Sequence, residues 1–334
     1  ERQRTGPTPA PAPAQVGASR PSASTEAVDQ DVLLSREDDT DTTGGIGDGA
    51  GDDTQVATGP ARHQCLWEGP FVERVNAHLP PDVRVIGATD VGREFHAKHY
   101  CDRRRYEYLI PVNVLLAPIE APLASEFGID RMFEMQDRIL QLKRAIKRPL
   151  KRFVGLHSFH NFTTGLDAGQ DQARREVYRT YCRDLVSSRG VDFLRISIAG
   201  RSFLYHQIRR IMGLVIACMR GVVPVDYINF ALTSSQPVPV PTAPAYLLYQ
   251  VECSYARFEG KHPQHWHVGL QNEHRRDAAQ RFERKLHEHI ATLERTEGGM
   301  QKFLSDLEVL APAMTSAWQT SCSEQKGAEL VTDL

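Results

Sequence analysis

Between Leu194 and Arg220 the apolar residues change their spacing from every second position to helical intervals, which commits this stretch to a strand followed by a helix. Leu194-Arg195-Ile196-Ser197-Ile198 alternates strictly, so one strand face is expected to be buried and the other polar. From Ser202 to Arg220 a helix is expected, with Leu204, Ile208, Ile211, Val215 and Met219 on one face. Ser202, His206, Arg209 and Gly213 form a separate polar stripe.

The remaining elements follow from the same periodicities. Phe71, Val72, Val75 and Leu79 are spaced as a helix that stops at Pro80-Pro81. Val83 to Ile86, Tyr106 to Ile110, Val177 to Val186 and Tyr246 to Val251 are expected strands. Helical spacing from Ile129 ends at Pro149, and helices are expected over 272–296 and 300–310. Pro237 to Pro244 is a connector. These elements interleave without a regular βαβ rhythm and without a Gly-rich phosphate loop, which points to an α+β layer fold, an antiparallel sheet flanked by helices.

No apolar run approaches the roughly 18–20 residues of a membrane span, so no membrane is expected. The six cysteines show no CxxC pair, which argues against a disulfide scaffold or zinc ribbon and for a reduced compartment. The formal net charge of −2 hides an asymmetry. Residues 1–60 hold 4 Lys+Arg against 11 Asp+Glu, whereas residues 91–220 hold 23 against 13. The first stretch, Pro/Ala-rich and then acidic and Gly-rich, has too little apolar surface to offset the entropy of ordering and is expected to be disordered. The basic stretch suits either a polyanion such as nucleic acid or a solvated Arg-rich surface.

Three clusters carry candidate chemistry. Phe95 to Tyr108 contains Lys98 and the run Arg103-Arg104-Arg105 leading into a strand with Tyr106 and Tyr108 on one face. Arginines that clamp phosphates beside rings that stack on bases would bind RNA; the plainer alternative is a surface Arg run beside core tyrosines. Phe153 to Thr163 gathers His157, His160, Asn161 and three phenylalanines, either a base-binding loop or a packed, hydrogen-bonded corner. No Cys or carboxylate completes a ligand set around the two histidines, so no metal is expected. Gly200 to Gly213 places His206, Gln207, Arg209 and Arg210 at the start of a helix, where Arg209 would hold a carboxylate or phosphate or simply be exposed.

Taken in order, these clusters resemble the tRNA pseudouridine synthase A family, most closely its eukaryotic pseudouridine synthase 1-like members. Asn76-Ala77-His78-Leu79-Pro80 with Val83-Arg84-Val85 is similar to the family's approach to its second motif. Phe95-His96-Ala97-Lys98 with Arg105-Tyr106-Glu107-Tyr108 resembles that second motif. His157 to Thr163 resembles the eukaryotic FHNFT loop, and Gly200 to Gly213 the third motif. His289-Ile290-Ala291-Thr292-Leu293, Thr296-Glu297 and Met300 resemble the eukaryotic tail segment. The likeness spans about Gly69 to Leu310.

The resemblance implies isomerisation of uridine to pseudouridine in tRNA or another structured RNA, inside the nucleus or mitochondrion, with no cofactor. An aspartate attacks the flipped-out nucleotide, whose eversion costs a few kcal/mol. On this basis Tyr106 matches the tyrosine that packs on the target base, and Arg209 the arginine that keeps the aspartate ionised. Lys98, Arg103, Arg104, Arg105, His160, Asn161, His206, Gln207 and Arg210 are the expected RNA-binding residues. The family's R-T-D-x-G-V-x-A loop, which carries the nucleophile, has no counterpart here. Thr89-Asp90-Val91-Gly92 imitates it but follows Leu79-Pro80, so the nucleophile is not placed on Asp90. Arg4-Thr5-Gly6 has glycine where the aspartate belongs, Thr40-Asp41 lies in a low-complexity run, and Leu247 stands where the family usually has glycine.

The expected organisation is a disordered segment (1–62), an incomplete first catalytic half (63–115), the second catalytic half (116–258), a helical extension (259–312) and a disordered tail (313–334). Two alternatives accompany the enzyme: an inactive RNA-binding or ribonucleoprotein-assembly factor, and a protein-interaction scaffold.

Overall fold

The computed structural model describes residues 68–89, 91–115, 128–261 and 273–332. The expected disordered segment, the weak matches at Arg4-Thr5-Gly6 and Thr40-Asp41, and Asp90 lie outside the described residues. The chain runs through helices Glu68–Ala77 (α1) and Ala97–Tyr100 (α2), strand Arg103–Pro111 (β1), and helices Val112–Leu115 (α3), Gly128–Ala145 (α4) and Lys147–Lys151 (α5). Strands Gly155–Ser158 (β2), Arg174–Ser188 (β3) and Val191–Gly200 (β4) follow, then helices Gln207–Met219 (α6) and Tyr227–Thr233 (α7). Strand Leu248–Ser254 (β5) and helices Ala256–Lys261 (α8), Glu273–Glu297 (α9) and Gly299–Thr332 (α10) complete it.

The five strands form one antiparallel sheet in the order β2-β3-β4-β1-β5. A two-residue turn joins β3 to β4, with Arg189 (φ 46°) and Gly190 (φ 78°) both left-handed, the geometry that matches strand twist. β1 lies between β4 and β5, so that Tyr106 stands opposite Ile198 on one side and Gln250 on the other. A strand from the expected first half is thus an inner strand of the same sheet as the second.

One face of the sheet packs on α6, whose Ile208, Ile211, Met212, Leu214, Val215, Ile216 and Ala217 are all buried. The expected polar face of β4 is also covered. Ser197 is buried, and Arg195 meets Glu283 of α9 at 3.6 Å. The α+β expectation therefore holds, with both sheet faces occupied.

Four local expectations change. The stretch 83–86 is not a strand, because the Asn76 side chain takes both polar groups of Val85, accepting from its N–H and donating to its carbonyl at 2.8 Å each. The helix expected from Ser202 begins at Gln207 instead, since His206 adopts φ 63°. The helix expected to end at Pro149 breaks after Ala145, and Pro149 sits at the third position of α5, in the first turn, where its missing N–H is tolerated. The 313–334 stretch, expected to be disordered, continues α10 past Pro312 as far as Thr332. Met314 is fully buried there, and Trp318 lies 6.2 Å from the Tyr227 ring and 6.1 Å from Phe230, so tertiary packing outweighs the proline. Among the described residues no helix is long and apolar enough to cross a membrane.

Candidate active site

Tyr106 and Tyr108 are two residues apart on β1 and point to the same side of the sheet. The Tyr106 ring, 3% exposed, meets Phe203 edge-on at 5.4 Å. The Tyr108 hydroxyl donates to the Pro244 carbonyl at 3.1 Å, and burial pushes its pKa well up. Arg209, on the first turn of α6, donates its Nε to the Ala243 carbonyl at 2.8 Å. Its charge is felt by Tyr108. The adjacent carbonyls of residues 243 and 244 therefore hold the arginine and the second tyrosine side by side, and the structure brings Tyr106 and Arg209 to one face. Among the described residues no carboxylate lies within ion-pair distance of Arg209.

The turn before α6 shapes this end of the site. His206 is left-handed, which costs a non-glycine residue about 1–2 kcal/mol. Its Nε2 lies 3.0 Å from Arg209 Nη1, which can only donate, so Nε2 accepts and the ring proton sits on Nδ1. Burial first, then Arg209 and Arg210, lower the His206 pKa and keep the ring neutral. Gln207 is fully buried and its Oε1 accepts from the Leu204 N–H at 2.7 Å. Tyr205, in contrast, is exposed and lies flat on His206, with 3.8 Å between ring centroids.

The arginine run is divided by strand alternation. Arg104 is buried and donates to the carbonyls of Lys98, Cys101 and Arg201. Arg105, also buried, pairs with Glu107 at 2.7 Å and with Glu252. Arg103 lies over the Tyr178 ring at 5.8 Å, and Lys98 is exposed. Of the four cations expected to meet RNA in this cluster, two are structural struts.

The 157–163 loop is a packed corner. His160 reaches the Ser234 carbonyl at 2.7 Å and the Ser158 hydroxyl at 3.0 Å. Asn161 donates to the Ala231 carbonyl and accepts from the Val238 N–H, both at 3.0 Å. Arg210 Nη1 donates to the carbonyls of Asn161 and Thr163 at 2.9 and 2.7 Å. This corner ties α7, the proline-rich connector and α6 together and thereby fixes where Arg209 starts.

Sequence reasoning passed over a charged cluster on the other side of the sheet. Glu107 is wholly buried, with Arg105 at 2.7 Å, Arg183 at 3.0 Å and Arg195 at 3.5 Å. The Tyr249 hydroxyl lies 2.9 Å from Glu107, 3.0 Å from Glu283 and 2.8 Å from His287 Nε2. The signal was present: Arg105 and Glu107 alternate with the tyrosines, and Glu283 and His287 are four apart on one helix.

Comparison with known proteins bears on this arrangement. Residues 150–256 match the family model described as tRNA pseudouridine synthase. The chain is similar to the pseudouridylate synthase 1 homologs of Mus musculus, 29% identical over 72% of this chain and 55% of that protein, and of Homo sapiens, 29% identical over 72% and 54%. It is also similar to the tRNA pseudouridine(27/28) synthase of Saccharomyces cerevisiae, 26% identical over 52% of this chain and 60% of that protein. The chain spans little more than half the length of these curated relatives.

Proposed function

We propose that the chain is a member of the tRNA pseudouridine synthase A family and supplies the tyrosine–arginine side of a site that isomerises uridine to pseudouridine in tRNA. The observation that carries this reading is the convergence of Tyr106, Phe203, Tyr108 and Arg209 on one face, joined through the carbonyls of residues 243 and 244.

In this reading the aspartate nucleophile attacks the everted nucleotide, the glycosidic bond breaks, the uracil rotates, and a carbon–carbon bond from C5 replaces the carbon–nitrogen one, with the aspartate released, the C5 proton lost and a proton gained at N1. Tyr106 packs against the uracil while it turns. Arg209, held at Nε by Ala243 and at Nη1 by His206, keeps a free donor edge for the carboxylate and holds it ionised. Neutral His206 contributes by accepting from Arg209 without adding a competing charge. Lys98 and Arg103 contact phosphates, and Arg104, Arg105, His160, Asn161, Gln207 and Arg210 act on RNA indirectly, by holding the loops that face it.

The test is tritium release from tRNA transcripts labelled at uridine C5, with the chain and its Arg209→Ala variant. Release that disappears in the variant supports the reading. RNA binding with a steep salt dependence but no release assigns a binding role without isomerisation. Absence of RNA binding at any salt concentration rejects the reading.

A further inference from the structure

We propose that the ring of Tyr205 is a stacking platform for a nucleobase adjoining the target uridine, with His206 as its backing. The inference rests on the RNA-modifying reading and adds a contact residue to it.

Tyr205 is 49% exposed, whereas Phe203 and Gln207, two positions to either side, are buried. One ring face lies on His206 at 3.8 Å and 25°, so that exposure places the rest of the ring in solvent. The arrangement is fixed before any ligand arrives. His206 is set by its left-handed backbone and by the bond its Nε2 accepts from Arg209 at 3.0 Å. Tyr205 therefore sits in register with Arg209, one contact removed through the His206 ring. Little torsional freedom remains for an incoming base to remove, which is the condition for a stacking surface to contribute its full strength. An aromatic face beside a guanidinium is the pairing that receives unstacked bases on single-stranded RNA, with little preference among bases. Tyr106, Tyr108 and Tyr227, by contrast, are covered.

Eversion of a uridine leaves its neighbour without a stacking partner on one side. A ring presented next to the arginine at the everted nucleotide takes that neighbour's face. Tyr205 is then a substrate-contacting residue whose strength lies in binding, whereas Arg209 acts at the reacting nucleotide.

Three variants, Tyr205→Ala, Tyr205→Phe and Tyr205→Trp, are compared with the wild-type chain for affinity toward unmodified tRNA transcripts. A single-stranded uridine oligonucleotide carrying 2-aminopurine beside one uridine is the second probe. The expected result is an affinity loss of about tenfold for the alanine variant, within the range of one base–aromatic stack, and retention by the two aromatic variants. The 2-aminopurine emission is expected to be quenched by the wild-type chain and not by Tyr205→Ala. Equal affinity and equal quenching in the alanine variant overturn the platform while leaving RNA binding intact. A phenylalanine variant as weak as alanine also overturns it, by assigning the effect to the hydroxyl. If the wild-type chain binds neither probe, the functional reading itself fails.

Discussion

Arg209 and Ala243 are bonded to each other twice: the arginine Nε donates to the Ala243 carbonyl at 2.8 Å, and the Ala243 N–H donates to the Arg209 carbonyl at 3.1 Å. A helix and a proline-rich connector are thus locked in register at the arginine proposed to hold the nucleophile. One turn along, Gly213 allows the same close approach. A Cβ at that position would lie 2.2 Å from the Pro241 carbonyl oxygen, backbone that cannot swing aside.

Gly213→Ala is therefore expected to destabilise the fold by about 3 kcal/mol or more, at the upper end of overpacking costs. Urea unfolding followed by circular dichroism measures this. A variant within about 0.5 kcal/mol of wild type would show that the connector can retreat from α6.

Arg209→Lys keeps the charge but loses the Nε donor to Ala243 and the planar edge. Stability is expected to fall by only about 1 kcal/mol, one net hydrogen bond. On the proposed function, pseudouridine formation in a protein that carries both this chain and the aspartate nucleophile should fall by roughly a hundredfold or more, as when a preorganised donor is lost. A lysine variant that retains activity would mean that charge alone suffices.

Glu107→Ala is expected to cost about 3–5 kcal/mol, because it removes the buried carboxylate that Arg105, Arg183 and Arg195 share and leaves only Glu252 and Glu283 at the edges of the cluster. The melting temperature reports it, and a double-mutant cycle with Arg183→Met separates the pair from the rest. A loss below about 1 kcal/mol would place the network among those that merely break even.

Stability should decline as pH falls below the ordinary histidine value of about 6.5. Burial lowers the pKa of both His206 and His287, so the folded chain binds fewer protons than the unfolded one in that window. The contribution is complete above the unfolded value and is lost toward the lower folded values. Unfolding free energies at pH 7.5 and 5.5 should differ less in His287→Gln than in wild type; an unchanged slope would exclude His287 as a source.

Met314→Ala, at a fully buried position beyond Pro312, is expected to cost about 2–4 kcal/mol and to speed amide exchange across the C-terminal part of α10. Unchanged exchange there would show that Trp318 alone docks this segment against Tyr227 and Phe230.

Much of this was legible in the chain itself. The strand at 194–198, the strand through Tyr106 and Tyr108, the long charged helix and the connector all follow from local period and from proline, and each is found within a few residues of its expected place. The start of α6 was not legible, because a histidine in the left-handed region has no composition signal; the bond from Arg209 and the stack with Tyr205 hold it there. Nor was the 83–86 segment, whose β-prone residues are captured by one asparagine side chain.

By itself, the order of residues determined the periods, the α+β class and the set of tyrosines, arginines and histidines available for a site. The tertiary structure decided which of them face outward. Alternation along β1 assigns Arg103, Arg104 and Arg105 to sides, but only the pairing of β1 between β4 and β5 and the docking of α9 determine what covers each side. Periodicity is a property of neighbours within a few residues, whereas burial of a charge depends on a partner such as Glu283, far along the chain, arriving close enough to take up the lost hydration.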